Sequence, residues 1–192
     1  MGAESWHADA VAAGFYGMSG GVATNVLSVD NFEADHFYDS IIAVAYPTNI
    51  SDPVVNQSFI FYPVTVSKQQ EIDGYYDDYA ANYKTLFVSG AGNGGAVPVS
   101  PPSTCYNGIC VGAYINSVNY SSVGPTLDNG RAKPDITAPE YVTSYSTPLV
   151  AGAAAVLMQA GLRGDGGGST NYAADIRTVK ALLLNGAIKP AN

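Results

Sequence analysis

Three short segments of this 192-residue chain hold side chains that together suit acyl transfer: a hydroxyl, an imidazole and a carboxamide. The hydroxyl lies in Val142-Thr-Ser-Tyr-Ser-Thr-Pro-Leu-Val-Ala-Gly152, where Ser144 comes just ahead of a helix expected to start at Pro148. Proline suits a first helical turn, since its missing N–H is not needed there and its φ is already helical. A serine beside that turn is close to unpartnered backbone N–H groups, which stabilise developing negative charge. Ser146 and Thr147 read equally well as N-cap residues without a chemical role. The carboxamide is Asn93, displayed by the strand-to-turn segment Val88-Ser-Gly-Ala-Gly-Asn-Gly-Gly95. Its side-chain N–H can donate to an oxyanion, although Asn-Gly also favours a plain turn. Phosphate cradling does not fit that segment, which has neither a lysine nor a Walker pattern. The imidazole is His7 in Ser5-Trp-His-Ala-Asp-Ala-Val-Ala-Ala-Gly14, at the start of a small-residue helix. The other histidine, His36, falls among polar neighbours and reads as a surface residue.

An α/β arrangement would have to position these groups. Val- and Ile-rich segments alternate with helical patterns of ten to fifteen residues, which predicts a parallel sheet with crossover helices. Strands are expected at Asn25–Val29, Pro53–Phe61, Thr85–Ser89, Gly108–Ala113 and Asp135–Ala138. Helices are expected at His7–Gly17, Glu33–Tyr46, Lys68–Tyr83, Thr147–Ala160 and Ala174–Asn185. The stretch around Ala151 is small and apolar all round, as a buried helix requires. No repeat or linker divides the chain, so residues 1–192 read as one domain.

Composition removes several other classes. Eight basic against sixteen acidic side chains give a net charge of −8, which argues against a nucleic-acid partner. The apolar run Val150–Met158 is too short for a membrane span of roughly 20 residues. The first residues have neither the basic start nor the apolar block of a signal peptide. Cys105 and Cys110 flank an Asn-Gly turn, where two readings fit: a local disulfide, or two small buried thiols. Two cysteines alone are a poor zinc site. The sequence leaves the oligomeric state open.

The order His7, Asn93, Ser144, with Ala138-Pro139 shortly before the serine, resembles the subtilisin-like serine peptidases, the subtilases. The family serine motif Gly-Thr-Ser-x-[Ala/Ser]-x-Pro-x-Val-[Ala/Ser]-Gly is matched at Thr143, Ser144, Ser146, Pro148, Val150, Ala151 and Gly152. Ala91-Gly92-Asn93-Gly94-Gly95 is similar to the oxyanion motif, and His7, Ala8, Val11 and Ala12 match the histidine motif. The resemblance implies a three-layer α/β fold with a mostly parallel twisted sheet. It also implies a serine endopeptidase acting on peptide or protein substrates, with Ser144 as nucleophile, His7 as base and Asn93 as oxyanion donor. Ser58, Phe59, Ile60 and Gly92 fall where the family binds substrate. No cofactor is implied; structural calcium is common in the family, but no dense carboxylate loop offers a site here. The resemblance and the acidic composition imply a secreted or otherwise extracytoplasmic location.

The pattern is broken in places. The family places a catalytic Asp on a strand before the histidine, and only Glu4 is acidic ahead of His7. Asp9 is expected to point away from His7 along the same helix. Val142 and Glu140 stand where the family has glycine, and Phe59-Ile60-Phe61 replaces Leu-Gly-Gly. The sequence is therefore read as an N-terminally truncated subtilisin-like domain. The alternative is a non-catalytic form that folds or binds peptide without turnover, because the triad Asp is absent.

Overall fold

Side-chain alternation along one fully buried strand sets the layering. The computed structural model describes residues 5–115, 118–165, 167 and 172–189. Strand β2, Leu86–Gly90, is buried along its whole length. Successive side chains of a strand point to opposite faces, so Phe87 and Ser89 face one way and Val88 and Gly90 the other. On the first face lies α3, Val66–Tyr83, whose Tyr76 and Tyr79 rings meet Phe87 at 4.8 and 5.8 Å. On the second lies α4, Thr143–Arg163, which packs across the sheet and against α1, Trp6–Tyr16, and α5, Ile176–Gly186. Helix α4 is long and apolar enough by composition to cross a bilayer, more so than the run Val150–Met158 suggested. It is instead the central core helix of this layer, with Ala151 and Ala154 fully buried.

The sheet runs β1-β2-β3-β5, all parallel, with β1 at Val54–Gln57, β3 at Ile109–Ile115 and β5 at Ile136–Ala138. A short strand, β4 (Val118–Asn119), pairs antiparallel with the end of β3. This is the three-layer, mostly parallel α/β architecture expected from the sequence. Strand β1 is fixed by a buried amide: Gln57 donates to the Tyr76 hydroxyl at 2.8 Å and accepts from Ser89 at 2.9 Å. Both ends of a fully buried polar group are thereby satisfied.

Several expected elements change. Residues 25–29 form no strand and are exposed throughout, with Leu27 102% accessible. A strand needs a ladder partner for its N–H and C=O groups, and no described segment lies beside this one. The helix expected over Glu33–Tyr46 is reduced to α2, Ala34–Phe37, followed by a π turn at Tyr38–Ile42. Pro47 disfavours helical backbone at Tyr46, and Ala43 has already left the helix at φ −91°, ψ 47°. Strand β1 stops at Gln57 rather than Phe61, because Phe61 N–H turns aside to the Pro101 carbonyl at 2.8 Å. Helix α4 begins at Thr143, not Thr147, so Ser144 lies inside its first turn and Pro148 lies within the helix. Cys105 and Cys110 are free, buried thiols.

Candidate active site

The first turn of α4 carries Ser144, meets Asn93 through Thr143 and has the His7 ring beside Tyr145. Gly90 makes this approach possible: a Cβ there would stand 3.0 Å from Thr147 Oγ1 and 3.2 Å from Thr143 Oγ1. The chain then passes through Gly92 at φ +92°, a conformation that favours glycine, and displays Asn93. Ser122 holds this turn, giving its N–H to the Gly92 carbonyl at 2.8 Å and accepting from Gly94 N–H at 3.1 Å.

Asn93 is oriented by Thr143. Its side-chain oxygen accepts from Thr143 N–H at 2.8 Å and from Thr143 Oγ1 at 3.1 Å. A backbone N–H can only donate, so the carbonyl end must face it and the NH₂ end is turned away from Thr143.

The donors of the α4 first turn can be accounted for singly. Thr143 N–H goes to Asn93, while Tyr145 and Ser146 N–H both reach the Val142 carbonyl, at 3.1 and 3.2 Å. Ser144 N–H is the one left without an acceptor among the described residues. It lies at the positive end of the longest helix in the fold.

Within α4, Pro148 has no N–H to give to the carbonyl four residues before it, that of Ser144. Ser58, just beyond β1, supplies the donor instead, its hydroxyl meeting the Ser144 carbonyl at 2.9 Å. Proline is tolerated inside the helix because a side chain just beyond β1 satisfies the carbonyl it orphans.

His7 comes from the first turn of α1, which Ser5 caps by accepting from Ala8 N–H at 3.4 Å. Helices α1 and α4 pack through small residues; a Cβ on Gly14 would lie 3.3 Å from Pro148 Cγ. The His7 ring stands 6.3 Å from that of Tyr145, the residue after Ser144, and 5.9 Å from Trp6. No carboxylate forms an ion pair with His7 among the described residues. Glu4 lies outside them. Asp9 and His36 are exposed.

The four expected substrate-contact residues separate. Ile60 lies beside Gly92, whose hypothetical Cβ would be 3.4 Å from Ile60 Cδ1. Ser58 is committed to the Ser144 carbonyl, and Phe59 turns its ring against Phe61, with centroids 5.4 Å apart. Sequence reading missed Thr143 as the group that orients Asn93. It also missed the Ser58 tie, although a proline four residues after Ser144 is itself the signal of a carbonyl in need of a donor.

Comparison with known proteins agrees with this fold. The chain is similar in fold to the prenylagaramide maturation protease PagA, at TM-score 0.66 and 19% identity over 100% of this chain and 76% of that one. A cold-adapted subtilisin-like serine proteinase gives TM-score 0.59 and 21% identity over 93% and 67% of the two chains. A mutant protease domain of PatA gives TM-score 0.54 and 22% identity; there the match covers 72% of this chain but only 53% of the relative's length. No curated protein sequence matches the chain. The subtilase family model matches residues 3–191, nearly the whole chain, and the protein belongs to the subtilase family of serine peptidases.

Proposed function

We propose that the chain carries the nucleophile, base and oxyanion site of a serine endopeptidase that works through an acyl-enzyme on Ser144. The observation that supports this most directly is the Asn93–Thr143 pairing, which leaves the Asn93 NH₂ free at the same helix turn whose Ser144 N–H has no acceptor among the described residues. Two donors of that kind suit the oxygen of a tetrahedral intermediate.

In this reading Ser144 Oγ attacks a substrate carbonyl carbon while His7 accepts the hydroxyl proton. The carbonyl π electrons move to oxygen, where Asn93 Nδ2 and Ser144 N–H donate to it. Collapse breaks the C–N bond, and His7 returns the proton to the departing amine. Water then repeats the attack on the ester, with His7 as base, and releases the acid. The substrate is an extended peptide passing Ile60 and Gly92.

A fluorophosphonate probe tests the reading. Labelling of the wild type but not of Ser144→Ala is the expected result. A demonstrably folded sample that takes no label overturns it in favour of the form that binds peptide without turnover.

A further inference from the structure

One face of α3 borders a cavity of about 340 Å³ near the C-terminal end of the helix. Tyr75, Asp78, Tyr79, Asn82 and Tyr83 line it, and their spacing of three and four residues puts them on one stripe of the helix. The facing wall is the chain after the π turn, which leaves helical backbone at Ala43 and passes Val44, Ala45 and Pro47. Two phenols fix that wall to the helix. Tyr83 donates its hydroxyl to the Pro47 carbonyl at 2.7 Å. Tyr79 donates to the Thr48 carbonyl at 2.6 Å and accepts from Ile50 N–H at 3.1 Å. The two rings are inclined at 42° with centroids 4.6 Å apart, Tyr79 buried below and Tyr83 nearer the opening. Asp78 is the residue of this lining that carries a charge, and it pairs with no cation among the described residues.

We propose that this cavity binds a small organic cation with a methylated ammonium group, and that Asp78 is its counter-ion. Tyrosine rings attract a cation through their electron-rich faces, and three of them line the space. Val44, Ala45 and Pro47 offer aliphatic surface to the N-methyl groups. Hydrogen bonding sets the choice of cation. A bare ammonium brings three donors, and the Pro47 and Thr48 carbonyls already accept from the two phenols, which leaves it the side-chain oxygens of Asp78 and Asn82. A quaternary ammonium donates no hydrogen bond and loses nothing in such a lining. An anion is disfavoured both by Asp78 and by the net charge of −8. Tyr83 lies just before β2 and Asn93 just after it, so the cavity is at the other end of that strand from the candidate nucleophile. The proposal does not rest on the peptidase reading.

The test is a titration of the folded chain with choline, followed by amide NMR. The signals of Val44, Ala45 and Asn82 should move and saturate. Two controls should each bind about tenfold more weakly: the carbon isostere of choline, in which tert-butyl replaces trimethylammonium, and ethanolamine, which lacks the methyl groups. Asp78→Asn and Tyr75→Leu, both at exposed positions, should each weaken choline binding about fivefold and leave the remaining amide signals in place. No saturable shift overturns the proposal, as do the same shifts with sodium chloride alone or equal binding of the uncharged isostere. Equal binding of ethanolamine overturns the methylated ammonium in favour of a simple amine. Unchanged affinity in Asp78→Asn overturns the counter-ion, and unchanged affinity in Tyr75→Leu overturns the placement against the rings of α3.

Discussion

Ser58 donates its hydroxyl to the carbonyl of Ser144 across 86 residues of sequence, at 2.9 Å, where Pro148 leaves that carbonyl without an N–H of its own. The end of the sheet and the start of the central helix are thereby joined at the candidate nucleophile. The relation is conditional: the hydroxyl matters because the proline is there.

A double-mutant cycle on this pair follows. Ser58→Ala leaves a half-buried carbonyl unpaired and should cost about 1–3 kcal/mol by urea unfolding. In a Pro148→Ala background the helix supplies its own N–H, and the same substitution should cost about 1 kcal/mol less. Equal costs in both backgrounds would show that Ser58 acts independently of the proline.

Asn93→Ala has two separable effects. It frees the buried Thr143 N–H, which should lower stability by about 1–2 kcal/mol in urea. It also removes one oxyanion donor; in subtilisin, the family's own measured case, such a loss costs about 2.7–4 kcal/mol of transition-state stabilisation. Fluorophosphonate labelling of Ser144 should therefore slow far more than the change in folded fraction explains.

The two thiols should resist reagents in the native state. Burial pushes both Cys105 and Cys110 up to about 12, from an ordinary value of 9.0. Disulfide-exchange reagents at pH 8 should react only after urea is added. The linkage has a definite sign. The unfolded thiols ionise first, so the stability contribution is complete below pH 9 and is lost as pH rises from 9 toward 12. The urea midpoint of the wild type should fall more steeply across that window than that of Cys105→Ala/Cys110→Ala.

A buried charge cluster ties α3 to the loops beneath it. Asp73 accepts from Thr104 Oγ1 at 2.5 Å and from Arg131 Nη2 at 3.0 Å, and the Arg131 guanidinium lies 4.0 Å from the centre of the Tyr106 ring. Burial pushes the Asp73 carboxyl up against the opposing pull of Thr104 and Arg131. Asp73→Ala removes the acceptor of Thr104 and one of the two carboxylates on the guanidinium, Asp128 at 3.0 Å being the other, and should cost about 1–3 kcal/mol by urea unfolding. Adding Arg131→Met and Asp128→Asn to Asp73→Leu should cost less than Asp73→Leu alone, because no charge of the cluster is then left without a partner.

The local code of the chain was enough for its layers and most of its elements. Helix and strand periodicities placed α1, α3, α5, β2, β3 and β5 to within a few residues, because apolar runs in strands and apolar spacing in helices are local features. Motif spacing singled out His7, Asn93 and Ser144, since the residue types and the small side chains around them are local features. Pairing and orientation had to come from tertiary structure. Residues 25–29 carry strand-forming side chains yet remain irregular, because a ladder partner is not a property of the segment. Thr143 reads only as a motif match and Ser58 as a cleft residue, until the fold brings the first against Asn93 and the second against the Ser144 carbonyl. The amide of Asn93 acquires a direction only from the N–H it faces, and that N–H lies 50 residues away in sequence.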